Sequence, residues 1–212
     1  MNVGDSVTHA LQEWGRGKWD AAMLHACNAV DGTGKKRYPQ EKSVAARFKR
    51  TIRDSLDIFG AVALTGLNVG LIRFPVAVKS DLPDKRPDLA DVIYGIHRCT
   101  HGHGDELPEG FELTAIEDGG DAVRIRLTRD GKLQLPISVV MGLLAVAIFA
   151  PENKDQLIGG GGDYALSLVW QRLMLNDWWG RGDDFRELTK LDQIADGLVV
   201  DFGRYWDGWK PV

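Results

Sequence analysis

Apolar residues return at helical spacing over much of this chain, and the pattern predicts a mainly α fold. The first periodic stretch runs from Val7 to about Val30, with a break expected near Gly15-Arg16-Gly17. Gly32 and Gly34 are expected to weaken its end, and Pro39 to close it. A second helix is predicted from about Ser43 to Ala63. There Val44, Phe48, Ile52, Leu56, Phe59 and Ala63 form one apolar stripe, with Arg47, Arg50, Asp54 and Asp57 away from it. A third is predicted after Pro87, with Asp88 in its first turn and Leu89, Val92, Ile93 and Ile96 facing inward.

The period then changes. Phe111 to Ile116 and Ala122 to Leu127 alternate, with turns at Glu117-Asp118-Gly119-Gly120 and Asp130-Gly131, and Leu133 and Leu135 mark a third short strand. This predicts a small antiparallel hairpin or meander inserted at about 111–135. Pro136 opens an apolar helix to about Ala150, Asp163 is expected to cap another through Leu175, and Asp183 a short one to about Leu191. No repeat or composition shift divides the chain, so residues 1–212 are read as one helical-bundle domain with a β insert.

Composition narrows the class. At 212 residues, 44% hydrophobic and 26% charged, the chain can bury a core without metals or disulfides. Its two cysteines, Cys27 and Cys99, form no disulfide framework, which makes the cytoplasm the expected compartment. The N-terminus lacks the pattern of a signal peptide. The apolar run from Ile137 to Ala150 is shorter than the roughly 20 residues of a membrane span, so a core helix is expected and no membrane association. A net charge of −4 argues against a generic nucleic-acid coat. Residues 35–53 nevertheless hold Lys35, Lys36, Arg37, Lys42, Arg47, Lys49, Arg50 and Arg53 against the single acid Glu41. Such a strip is either a phosphate-binding face or a solvated helix face.

The most unusual stretch is Ile96-His97-Arg98-Cys99-Thr100-His101-Gly102-His103-Gly104-Asp105, which holds three of the five histidines. Arg98 and His103 stand in an Arg-x4-His arrangement at the expected end of the third helix. His97, Cys99, His101 and His103 are also metal-ligand types, although no second cluster completes a four-ligand set. The glycines from Gly159 to Gly162 lack the Lys-Ser/Thr ending of a phosphate loop and read as a linker. Trp170, Trp178, Trp179, Trp206 and Trp209 are of a type that either stacks bases or closes a core.

The segment from Tyr94 to Leu107 resembles the signature of HEPN-domain proteins, in the subgroup reading roughly Ile-Tyr-x3-Arg-Cys-x3-His. Ala26-Cys27-Asn28-Ala29-Val30-Asp31-Gly32-Thr33-Gly34-Lys35-Lys36 is similar to that subgroup's opening helix, and the order of the segments agrees over roughly residues 18–107. The resemblance implies a HEPN-like bundle and a metal-independent endoribonuclease without cofactor, giving 2′,3′-cyclic phosphate and 5′-hydroxyl ends. It implies Arg98 as phosphate clamp, His103 as acid or base, and His101 as an added histidine at the site. Asn28 or Asp31 would orient them from the first helix, and from the charged strip Lys35, Lys36, Lys49, Arg50 and Arg53 are the candidate RNA contacts. It also implies a homodimer in a toxin or defence setting, with an antitoxin or defence partner. Cys99 departs from the small polar residue often found after the arginine in active members. The alternative is therefore a non-catalytic HEPN dimerisation or RNA- or nucleotide-binding module.

Overall fold

The computed structural model describes residues 2–98, 110–115, 124–160, 163–168, 171–190 and 197–212, with His97 and Arg98 by backbone alone. His101, His103, Cys99 and Trp170 lie outside the described residues. The fold is mainly α with a small β insert, as the periodicity predicts.

Helix α1 spans Val3–Gly15 and α2 spans Trp19–Arg37. Asn2 caps α1 in a reciprocal pair with Asp5, which satisfies two otherwise unpaired N–H groups. The break expected near Gly15-Arg16-Gly17 is real: Gly17 takes a φ of +69°, and the turn folds α2 back against α1. Gly32 and Gly34 do not weaken α2, which continues through both to Arg37. A Cβ on Gly34 would stand 2.7 Å from Thr51 Oγ1 and 3.3 Å from the Arg47 carbonyl, so this glycine sets a close crossing with the next helix.

The expected single helix from Ser43 to Ala63 is two, α3 (Val44–Arg53) and α4 (Leu56–Ala63). The break falls at Asp54-Ser55, while the apolar stripe carries on across it. Ser43 caps α3 by accepting from the Ala46 N–H at 3.2 Å. Asp88 caps α5 (Leu89–Val92), again reciprocally with Asp91. From Ile93 to Arg98 this helix widens into a π-helix.

The β insert differs from a meander. Strands β1 (Phe111–Thr114), β2 (Arg126–Leu127) and β3 (Leu133–Pro136) lie in the order β1-β3-β2. β2 and β3 form the expected antiparallel hairpin, but β1 pairs parallel to β3, with Phe111 opposite Leu133 and Thr114 opposite Pro136. The buried Leu133 and Leu135 direct this sheet into the core and lead into α6 (Val139–Ile148). All residues of α6 except Met141 are buried, and it packs against each of α1 to α4. A helix apolar all round belongs in an interior, and this one is the centre of the bundle. Among the described residues no helix is long and apolar enough to cross a membrane.

The helix expected from Asp163 to Leu175 is instead a two-stranded hairpin, β4 (Ala165–Ser167) with β5 (Arg172–Met174). A short apolar run cannot be assigned to strand or helix by periodicity alone. Helix α7 (Gly182–Thr189) packs Phe185 on Phe149, ring centroids 4.2 Å apart. Of the tryptophans, Trp179 is buried and Trp178 sits edge-on to Phe149, so both close the core. The C-terminal segment returns along the body: Asn68 and Leu198 bond through their backbones, and Trp209 Nε1 donates to the Val76 carbonyl at 3.0 Å.

The contact between α4 and α6 is set by Gly142. A Cβ there would lie 2.7 Å from the Ala63 Cβ and 2.8 Å from the Phe59 ring. On an exposed helix, replacing glycine gains about 1 kcal/mol. Here the sign reverses: Gly142→Leu is expected to lower stability by about 1–3 kcal/mol through overpacking. Urea denaturation of the two proteins checks it, and equal or greater stability of the variant would contradict the close-packed crossing.

Candidate functional site

The segment carrying the sequence motif is fastened to the bundle by charge. Helix α3 presents Lys49 and Arg53, and α5 with the preceding loop presents Asp81, Asp88 and Asp91. Lys49 Nζ lies 2.9 Å from Asp91 Oδ1 and 3.1 Å from Asp81 Oδ1. Arg53 donates from Nε to Asp88 Oδ2 at 2.7 Å and from Nη2 to Asp88 Oδ1 at 3.2 Å. The same Nη2 reaches Asp81 at 2.8 Å and Asp91 at 3.0 Å. Ser80 Oγ donates to the second oxygen of Asp91 at 2.7 Å. Asp88 therefore both caps α5 and holds Arg53. The Asp91 side chain is fully buried and that of Lys49 is 8% exposed, so the pairing is strong only because most of its polar atoms have partners.

The environment separates the acids. Burial raises the Asp91 carboxyl above its ordinary value, with the hydrogen bonds from Ser80 and Lys49 opposing. Burial also works to raise Asp81, but hydrogen bonds from Arg53 and Lys49 outweigh it and hold that carboxyl well below the usual range. Arg53 keeps its charge throughout: burial opposes it, and Asp88 and Asp81 prevail.

This geometry corrects the reading of residues 35–53 as an open cationic strip. Lys49 and Arg53 face the buried carboxylates of Asp88 and Asp91 and the exposed one of Asp81. Arg47 reaches Asp31 at 3.4 Å, and Lys35 reaches the other Asp31 oxygen at 3.2 Å. Lys36 donates to Asn153 Oδ1 at 2.9 Å, and Arg37 forks onto Glu152 at 2.9 and 3.1 Å. Arg50 is exposed, lies over the Tyr38 ring at 4.4 Å and pairs loosely with Asp54. Tyr38 also donates to Asp54. The acids answering Lys49, Arg53 and Arg37 come from positions 81–91 and 152, which a local charge count cannot see.

Above the ion network lies the π-helix. It packs on α2 and α3, with the Tyr94 ring 5.5 Å from that of Phe48. A Cβ on Gly95 would meet Val78 at 2.8 Å, so the segment after Phe74 passes close to this turn. Single π-helical turns are frequent at functional sites. Arg98 is its last residue, so the motif begins where a firmly anchored element ends. Asn28 is half-buried on α2, and Asp31 is buried between Arg47 and Lys35. The structure thus brings the motif-bearing turn against α2 and α3, whereas His101 and His103 lie outside the described residues. Sequence reasoning missed Ser80, Asp81 and Asp91. The one available signal was Asp88-x2-Asp91 after Pro87, a capping pattern.

A second histidine feature sits elsewhere. His9 on α1 and His25 on α2 have ring centroids 5.3 Å apart. Burial lowers the pKa of His25, His9 lowers it further, and Glu13 opposes them. His25 is thereby a packed histidine, as its place on the first long stretch suggests.

Replacing Lys49 tests the anchor. Lys49→Met leaves the buried Asp91 carboxylate with Arg53 as its remaining cation among the described residues, and is expected to destabilise, at most by the roughly 3–5 kcal/mol of a broken buried pair at neutral pH. The sign with pH follows from the two carboxyls. Asp91 takes its proton above the ordinary carboxylate value, so on acidification its charge vanishes and the cost shrinks, while Asp81, held low by Arg53 as well as Lys49, stays ionised. Chemical denaturation of both proteins between neutral pH and about pH 3 checks this. A cost independent of pH would mean that Lys49 acts by packing alone.

The comparisons with known proteins come from the whole chain. A family profile described as Rv1289 matches residues 2–206. The chain is 52% identical over 213 residues to the protein named "Uncharacterized protein Rv1289" of Mycobacterium tuberculosis, covering 100% of this chain and 99% of that one. The same figures hold for "Uncharacterized protein Mb1320" of Mycobacterium bovis. No solved structure matches. With a profile and full-length relatives in agreement, the chain belongs to the Rv1289 family.

Proposed function

We propose that this protein is a metal-independent endoribonuclease of the HEPN type, acting in the cytoplasm as a homodimer. The observation that carries the reading is the Arg98-x4-His103 spacing, which starts from the last residue of a π-helical turn locked to α3 by buried ion pairs. Precise placement of a reacting group requires such a rigid support. In the proposed reaction the RNA 2′-hydroxyl attacks its own phosphate in line, so the nucleophile is already tethered. His103 takes the hydroxyl proton or delivers one to the leaving 5′ oxygen, since imidazole titrates near neutrality. The Arg98 guanidinium stabilises charge on the phosphate oxygens with paired donors. His101 adds a further imidazole. A two-fold dimer would set two copies of the short motif against each other. The same resemblance suggests a toxin or defence role with an antitoxin or defence partner.

RNA contacts in this reading fall to the cations still reaching solvent, chiefly Lys35, Lys36 and Arg50. Lys49 and Arg53 serve the site by holding α5, with Asp31 and Asn28 on the neighbouring helix. Cys99, directly after Arg98, is a weak hydrogen-bond donor, and it is the feature that favours the second reading, a non-catalytic RNA- or nucleotide-binding module.

The test is cleavage of end-labelled RNA in excess chelator. His103→Ala is expected to lose about 10² to 10⁴ in rate, and Arg98→Ala on the order of 10² to 10³. Both should keep the wild-type circular dichroism. Cleavage that depends on added metal would make the histidine cluster a ligand set instead. A wild-type protein that binds RNA without cutting it would establish the non-catalytic module.

A further inference from the structure

Between α1, α4, α6 and the β4–β5 hairpin the fold leaves a recess of about 440 Å³. Leu11 and Trp14 come from α1, Val62 from α4, Met141 and Leu144 from α6, and Leu166 from β4. Every described residue on its wall is uncharged. Tyr164 and Ser167 supply hydroxyls there, and neither side chain has a hydrogen-bond partner among the described residues. Tyr164 is half-buried and Ser167 exposed, so the polar groups belong to the solvent side while Leu144, Ala145, Ile148 and Phe149 form a buried floor.

Such a recess is poorly served by water. Water in an apolar cavity finds few of the two to four partners it needs. Displacing loosely held water with an apolar group is favourable. The volume falls within the range of about 300–1,000 Å³ usual for small-molecule sites. The described residues of the wall offer no charged partner, so an ionised headgroup drawn against them would be left unpaired at high cost. We propose that this cavity is a binding site for a neutral, single-chain amphiphile, its hydrocarbon chain lying on α6 and its hydroxyl-type head beside Tyr164 and Ser167. The recess is enclosed by helices on one side and the hairpin on the other, which suits a narrow chain and not the broad face of a second protein. None of the residues assigned to RNA cleavage lines it, so the site stands independently of that reading.

The full-length protein is titrated with N-phenyl-1-naphthylamine as a fluorescent reporter, which is then displaced by 1-dodecanol. Saturable displacement at one site per chain is expected, with dodecanoate much weaker. Met141 lies at the edge of the floor and is only partly buried, so Met141→Trp fills the recess with little effect on the core. This variant should lower dodecanol affinity by roughly tenfold or more, equivalent to about two buried methylenes, while keeping the wild-type dichroism and melting. A second measurement does not depend on that variant. Bound 12-bromododecan-1-ol should quench tryptophan emission, and Trp14→Phe should remove a distinct part of the quenching. Absent saturable binding, unchanged affinity in folded Met141→Trp, or quenching indifferent to Trp14→Phe would overturn the site. Equal affinity for dodecanoate would overturn the neutral headgroup.

Discussion

The burial of Lys49 and Arg53 against Asp81, Asp88 and Asp91 is the interaction on which the placement of the motif depends. Helix α5 is a single turn, too short to hold a position by its own hydrogen bonds. It is held from one side by α3, through ion pairs in which Lys49, Asp88 and Asp91 are too buried to be left without partners. It is held from the other by Ser80, whose hydroxyl occupies the remaining oxygen of Asp91. The apolar stripe Leu89, Val92, Ile93 and Ile96 gives attraction without direction, and the charges fix the register. A hydrophobic replacement of similar volume could be as stable, but it would not define where Arg98 emerges.

The bundle itself rests on close backbone approach. Gly34 lets α2 cross α3 over Thr51, and Gly142 lets α6 cross α4 over Phe59 and Ala63. With α6 apolar on all sides, the surrounding helices can each bury a face against it. The ion network therefore sits on a rigid base, and a shift at α3 would be transmitted to the turn that ends at Arg98.

Several features were legible in the sequence because a local signal encodes them. The turn at Gly17, the cap at Asp88 after Pro87, the interior helix after Pro136 and the three strands of the insert all announce themselves within a few residues. The features that were not legible depend on partners distant in the chain. The acids that pair with Lys49, Arg53 and Arg37 lie at 81–91 and 152. The parallel pairing of β1 with β3 is set by packing, with no turn residue to mark it. Gly32 and Gly34 read as helix breakers, while crowding against Val3 and Thr51 makes them packing residues. The Asp54-Ser55 break was hidden because Ile52 and Phe59 continue one stripe across it. Of the candidate site, Arg98, Asn28 and Asp31 were named from the motif and Lys49 and Arg53 as RNA contacts, while the acids Asp81 and Asp91 that hold those two cations were not.

In the proposed reaction a 2′-hydroxyl of the RNA would be the nucleophile, with Arg98 and His103 serving its attack. The most direct measurement uses one RNA oligonucleotide and the same oligonucleotide with a single 2′-deoxy sugar at the mapped cleavage position, both incubated in chelator. The account predicts that the all-ribose strand gives 2′,3′-cyclic phosphate and 5′-hydroxyl ends by mass spectrometry and that the substituted strand stays intact at that position. Equal cutting of the substituted strand, or fragments with 5′-phosphate ends, would contradict it.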